Sequence, residues 1–155
     1  MNKNEFSKSI DVALLSFCIL KRLGCGGVDT FEERLKSQKV QYFAQLFGVS
    51  FSYHYNLYLR GPYSPELAND LYLIKKKGLK ADKDKFVPEE LEEKFTKLQK
   101  FISGKNIRLL ELSATLHWLI NIAKLSQKKA EEKLIELKQA RPEEVRTAYA
   151  CLKNI

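Results

Sequence analysis

The sequence predicts a mainly α (α+β) domain, a bundle of about seven helices with a small β element and a winged-helix-like order in its N-terminal half. Three observations lead there. Apolar residues recur at helical spacing in successive stretches bounded by Ser, Thr, Pro and Gly. Phe51, Tyr53, Tyr55, Leu57 and Leu59 fall on every second position, the period of a strand with one buried face. The chain is 155 residues long and 45% hydrophobic, enough for a real core. It reads as a single domain over 1–155, with 9–88 as a helix/strand core and 89–155 as a helical part packing on it.

Ser9 is placed to cap the first helix, which carries Ile10, Leu14, Phe17, Cys18 and Lys21 along one face and ends near Gly24. The first nine residues and the last few are expected to be loose. The apolar run 10–20 is interrupted by Asp11 and Ser16. It is too short for a membrane span, which needs roughly 20 apolar residues. Lys21-Arg22 sit where a signal peptide would place its cleavage site, so a buried helix is expected. Thr30 and Glu33 have the spacing of a capping box. They open a helix with Leu35, Tyr42, Phe43 and Leu46 inside, Lys36, Lys39 and Gln45 outside, and Gly48 at its end.

The alternating strand is expected to stop at Gly61-Pro62, because proline lacks the N–H that would extend a ladder. Ser64-Pro65-Glu66 then combines a capping hydroxyl, a proline at the first helical position and an acid at the positive helix end. The helix that follows buries Leu67, Leu71 and Ile74, carries Lys75, Lys76 and Lys77 in its last turn, and ends at Gly78. Leu79-Lys80-Ala81 and Lys85-Phe86-Val87, around Asp82-Lys83-Asp84, read as a small hairpin.

Pro88 opens a helix with four glutamates near its start and Leu91, Phe95, Leu98 and Ile102 inside, ended by Gly104. The stretch 107–124 is apolar over much of its circumference and belongs inside the bundle. Arg108, Glu111 and Thr115 form one polar strip on it, and His117, Asn121 and Lys124 another. His117 is expected to be hydrogen-bonded at the edge of the core, and Trp118 to be core. Ser126 caps the next helix, with Ala130, Leu134 and Leu137 inside. Pro142 starts the last, with Glu143 and Glu144 in its first turn and Val145, Tyr149 and Leu152 inside.

Three segments carry a resemblance. Residues 34–45, from Arg34-Leu35-Lys36 to Tyr42-Phe43-Ala44-Gln45, resemble a helix of the YwgA-like proteins. More distantly, the segment is similar to one in the Panacea (SocA-like) antitoxin domains. Tyr58-Leu59-Arg60-Gly61-Pro62-Tyr63-Ser64 resembles the segment that follows in YwgA-like proteins, and 110–119 a third shared helix. Together these cover about half of the chain. Ser37 departs from the usual apolar residue, so that helix is expected to pack differently there. The YwgA-like group implies no activity. The Panacea resemblance implies neutralisation of a partner toxin, in some cases by delivery to a protease.

Charge and chemistry narrow the functional classes. The net charge of +8 speaks first to solubility and only softly to an acidic partner or nucleic acid. Three cysteines without C-x-x-C spacing and two histidines suggest neither a disulfide framework nor a metal site, and a reducing cytoplasm fits them. Cys18 reads as core. Cys25, among Gly24, Gly26 and Gly27, is either an exposed thiol or, the favoured reading, a packed one. The glycines before a helix suggest a phosphate cradle only weakly, since no strand precedes them. A Ser64–His54 pair would need an orienting acid and an oxyanion site, and Ser64 already has a role as a cap; the paired glutamates read as a solvated helix face, so no enzyme and no cofactor is expected.

The preferred reading is a protein-interaction module, antitoxin- or adaptor-like, binding a partner protein through His54, Tyr58, Arg60, Gly61, Pro62 and Tyr63 on an exposed turn. The alternative is a winged-helix-like DNA binder using the basic segment Lys75, Lys76, Lys77, Lys80, Lys83 and Lys85. Against it, the helix that would enter a groove begins with Glu66 and carries Asn69 and Asp70.

Overall fold

The computed structural model describes residues 3–50, 53–80 and 88–155. They form seven α-helices and one two-stranded sheet: α1 (Lys3–Arg22), α2 (Phe31–Leu46), β1 (Asn56–Tyr58), β2 (Gly61–Tyr63), α3 (Pro65–Lys77), α4 (Glu92–Ile102), α5 (Ile107–Asn121), α6 (Gln127–Lys138) and α7 (Pro142–Leu152). A short 3-10 turn, Glu89–Leu91, leads from Pro88 into α4. The mainly α class with a small β element is as the sequence predicts.

Most helix starts follow the capping chemistry. Thr30 accepts the Glu33 N–H, while the Glu33 carboxylate accepts the Asp29 and Thr30 N–H groups. Ser64 caps α3 through the Leu67 N–H, Asn106 caps α5 through the Leu109 N–H, and Ser126 caps α6 through the Lys129 N–H. Each such bond occupies a donor that the helix itself leaves unpaired. Ser9 is an exception. α1 already runs from Lys3, because nothing between Lys3 and Lys8 breaks a helix, and Ser9 lies within it.

α2 and α5 run through the middle. Residues 37–44 of α2 and 110–116 of α5 are buried on every side, polar residues included. One apolar cluster joins Ile19 and Leu20 of α1, Val40 and Phe43 of α2, Leu67 and Leu71 of α3, Phe95 and Leu98 of α4, and Leu110 of α5. A second joins Leu112, Leu116 and Leu119 of α5 with Ala130 and Leu134 of α6 and Val145 and Ala148 of α7. Trp118 and Leu152 pack against both. The expected Leu137 of α6 instead faces out at 43% exposed.

The expected long strand shrinks to a hairpin. β1 and β2 pair antiparallel, with Asn56 opposite Tyr63, Leu57 opposite Pro62 and Tyr58 opposite Gly61. Gly61-Pro62 therefore does not end the β element; it supplies the second strand, and Leu59-Arg60 is the turn. Upstream, the Tyr53 N–H and carbonyl are both bound by the Gln45 side-chain amide, so Tyr53 has no strand partner to seek. The alternation of burial still holds from Tyr53 to Leu57 and breaks at Leu59, which is 87% exposed. Phe51 lies outside the described residues, as do residues 81–87 of the expected hairpin over 79–87, Lys83 and Lys85 among them; Leu79 and Lys80, which are described, are not in a strand.

The glycine loop is tied down. The Gly26 N–H donates to Ser37 Oγ at 3.0 Å, and Ser37 Oγ donates to the Gly27 carbonyl at 3.3 Å. Ser37, the departure from the apolar pattern, is thus fully buried and bonded. Cys25 is also buried, which pushes its thiol pKa up and leaves it a packing residue.

Candidate docking site

The site is built on β2, whose outer edge is dressed by side chains from the helices. Pro62 has no N–H, so the Leu57–Pro62 pair is the non-hydrogen-bonded kind and the Pro62 carbonyl points away from β1. Lys39 of α2 donates to that carbonyl at 2.6 Å. Its neighbour Gln38 behaves like one more strand: its Nε2 donates to the Ser64 carbonyl and its Oε1 accepts the Ser64 N–H, both at 2.9 Å. Lys138 of α6 donates to Glu111 of α5 at 2.7 Å and to the Leu59 carbonyl at the turn.

Gly61 closes the fit. Its φ is +88°, and a Cβ there would lie 2.5 Å from Thr115 Oγ1. Thr115 Oγ1 is itself held 2.7 Å from the Glu111 carbonyl. Any side chain at Gly61 would meet both backbone strain and this contact.

Three charged side chains are thus inside the protein. Lys39 is fully buried, and the Lys138 and Glu111 side chains are 6% and 5% exposed. Burial lowers the Lys39 pKa to about 7, with Glu111 opposing the fall and Lys138 adding to it. Once Lys39 sheds its proton, Glu111 and Lys138 balance and the Lys39 amine still donates to Pro62.

On the other side of this clamp lies an apolar groove of about 540 Å³. Leu35 and Gln38 of α2 and Ala68 and Leu71 of α3 line it together with Tyr58 and Tyr63 of the hairpin. The pairing register puts the two tyrosines diagonally across one face, with ring centroids 5.5 Å apart and edge to face. Phe31, Tyr58, Leu59 and Tyr72 stand at its mouth, 52%, 49%, 87% and 63% exposed. Among the described residues its charged lining is Arg34, Arg60 and Lys75, all cations. Arg60 sits 5.5 Å over the Phe31 ring, Arg34 donates to the Val28 and Asp29 carbonyls, and Lys75 pairs with Asp29.

The structure divides the residues marked in the sequence. Tyr58, Arg60 and Tyr63 come together in the groove. Gly61 and Pro62, expected on an exposed turn, are buried because α2 and α5 hold the β2 backbone. His54 is exposed but does not line the groove. Lys75 is at the groove; Lys76, Lys77 and Lys80 are exposed at the end of α3 and beyond it. Lys39, expected on the outer face of α2, is its most enclosed charge, and Gln45 is half-buried on the Tyr53 backbone.

His117 meets its expectation. Its Nδ1 lies 2.6 Å from the Tyr42 hydroxyl. Burial holds His117 below the usual imidazole pKa and Tyr42 above the usual phenol value, so the neutral ring accepts and the phenol donates. The sequence reading missed Phe31, Arg34 and Tyr72 of the groove and Gln38, Lys39 and Lys138 of the clamp. The signal for the clamp was Glu111: the one acid of a helix expected inside the bundle needs an internal cation.

Among the described residues no group of three or more His, Cys, Asp or Glu side chains is placed to hold a metal ion, and no helix is long and apolar enough to cross a membrane. Compared with known protein families, curated proteins and solved structures, the chain finds no match.

Proposed function

We propose that the chain is a non-enzymatic interaction module, antitoxin- or adaptor-like, that docks a partner protein in the groove between the hairpin, α2 and α3. The observation that carries this reading is the cluster of Phe31, Tyr58, Leu59 and Tyr72, four large exposed apolar side chains around one apolar groove. Such a grouping on a chain of this size is the mark of a contact surface, and tyrosine and arginine are the side chains that anchor one. The clamp beneath supports it: a rigid hairpin presents its aromatic face with little to lose on binding. The more distant Panacea resemblance implies a protein partner too.

DNA binding is the second reading, favoured by exposed Lys76, Lys77 and Lys80 beside Lys75. Less in its favour, Lys75 already pairs with Asp29, and the α3 N-terminus is closed by buried Ser64.

The two readings are tested together. The wild-type chain, a Tyr58→Ser/Tyr72→Ser variant and a Lys75→Glu/Lys76→Glu/Lys77→Glu/Lys80→Glu variant are offered random duplex DNA across a salt series and a displayed library of random peptides. The expected result is peptide enrichment on the wild type that the double serine variant loses. Tight DNA binding with a steep salt slope that the glutamate variant abolishes would replace the docking reading with the nucleic-acid one.

A further inference from the structure

We infer that the partner segment taken by the groove is acidic, with apolar side chains inserted between Tyr58 and Tyr72 and carboxylates meeting Arg34 and Arg60; this rests on the docking reading above. Among the described residues the groove lining carries three cations and no acid. Lys75 is already neutralised by Asp29, but neither arginine has a carboxylate partner among the described residues.

The two guanidinium groups are also held for use. Arg34 is anchored through one nitrogen to the Val28 carbonyl at 3.0 Å, and Arg60 lies over the Phe31 ring. A guanidinium fixed beside an apolar surface is suited to carboxylate, which it can grip with two parallel bonds. Phosphate would match the arginines but not the apolar floor, which a nucleic-acid duplex, its bases stacked inside, would leave uncovered. A second copy of this chain is a poor occupant, since each copy brings a net charge of +8 to a cationic rim.

The probe is a phage-displayed library of random 16-residue peptides, selected on the wild-type chain, on Arg60→Gln and on Tyr58→Ser/Tyr72→Ser. Arg60 is exposed and among the described residues makes only a ring contact, so its replacement spares the fold. Wild-type selection is expected to enrich peptides that combine Asp or Glu with aromatic or aliphatic residues. Synthetic copies should bind Arg60→Gln roughly tenfold more weakly, the loss of one charge-assisted contact, and should weaken as salt is raised.

Neutral or basic apolar peptides that ignore Arg60→Gln but are lost on the serine variant would overturn the acidic partner and leave the docking site standing. Failure to enrich any peptide, or equal binding to the serine variant, would overturn both. Sedimentation showing a wild-type dimer that the serine variant abolishes would assign the groove to a second copy.

Discussion

Lys39 is where a single residue does most to shape the protein. It is fully enclosed, and among the described residues it has one hydrogen-bond acceptor, the Pro62 carbonyl, 2.6 Å away. Between about pH 7 and 10.5 the folded chain holds this amine neutral while the unfolded chain keeps it protonated. The unfolded state binds the extra proton there, so stability rises with pH through that window, and the charged amine weighs fully against folding below it. The slope from one such group reaches at most ~1.4 kcal/mol per pH unit. Urea unfolding from pH 7 to pH 10 should show the wild type gaining stability relative to Lys39→Met as pH rises. A difference that stays flat would mean that Lys39 keeps its proton inside the fold.

At the scale of elements, the hairpin is held by its neighbours more than by its own ladder. Three residues per strand make a marginal sheet alone. The bonds from Gln38, Lys39 and Lys138 to Ser64, Pro62 and Leu59 attach it to α2 and α6, while Thr115 of α5 packs on Gly61. The Lys138–Glu111 pair is the junction that joins α5, α6 and the turn. Lys138→Ala should destabilise by about 3–5 kcal/mol, because it leaves Glu111 buried without its bonded cation. Lys138→Met/Glu111→Leu should recover most of that loss. Equal instability of the single and double variants would show that packing, not the pair, is what Lys138 contributes. Lys138→Ala should also raise the Lys39 pKa, since Lys138 is one of the charges that lower it.

Over the whole molecule, α5 belongs to both apolar clusters. Leu110 and Ala114 face the cluster with α1, α2, α3 and α4, whereas Leu112, Leu116 and Leu119 face α6 and α7. Unfolding either side exposes one flank of the same helix, which couples the two. Trp118 is the single tryptophan and touches both clusters. Its fluorescence and far-UV circular dichroism should therefore report one coincident urea transition. Separated midpoints would show that the α6–α7 side unfolds by itself.

The sequence by itself determined the helices, because what sets them is local. Caps such as Thr30 with Glu33, Ser64 with Pro65, and Ser126 act within one turn, and apolar periodicity shows which face turns inward. The same locality made Tyr58, Arg60 and Tyr63 visible as a candidate surface, from a turn signal beside aromatic residues. Three things were decided only by the tertiary structure. Gly61-Pro62 became a strand because α2 supplies a lysine and a glutamine to its far edge, partners that lie 23 and 26 residues away along the chain. Lys39, Gln38, Glu111 and Thr115 turned inward because residues 37–44 of α2 and 110–116 of α5 are enclosed on all sides. The groove needed Phe31, Tyr58 and Tyr72 from three separate elements. Polar residues on an amphipathic helix face water unless a distant segment offers a partner, and that partner is set by packing, not by local spacing.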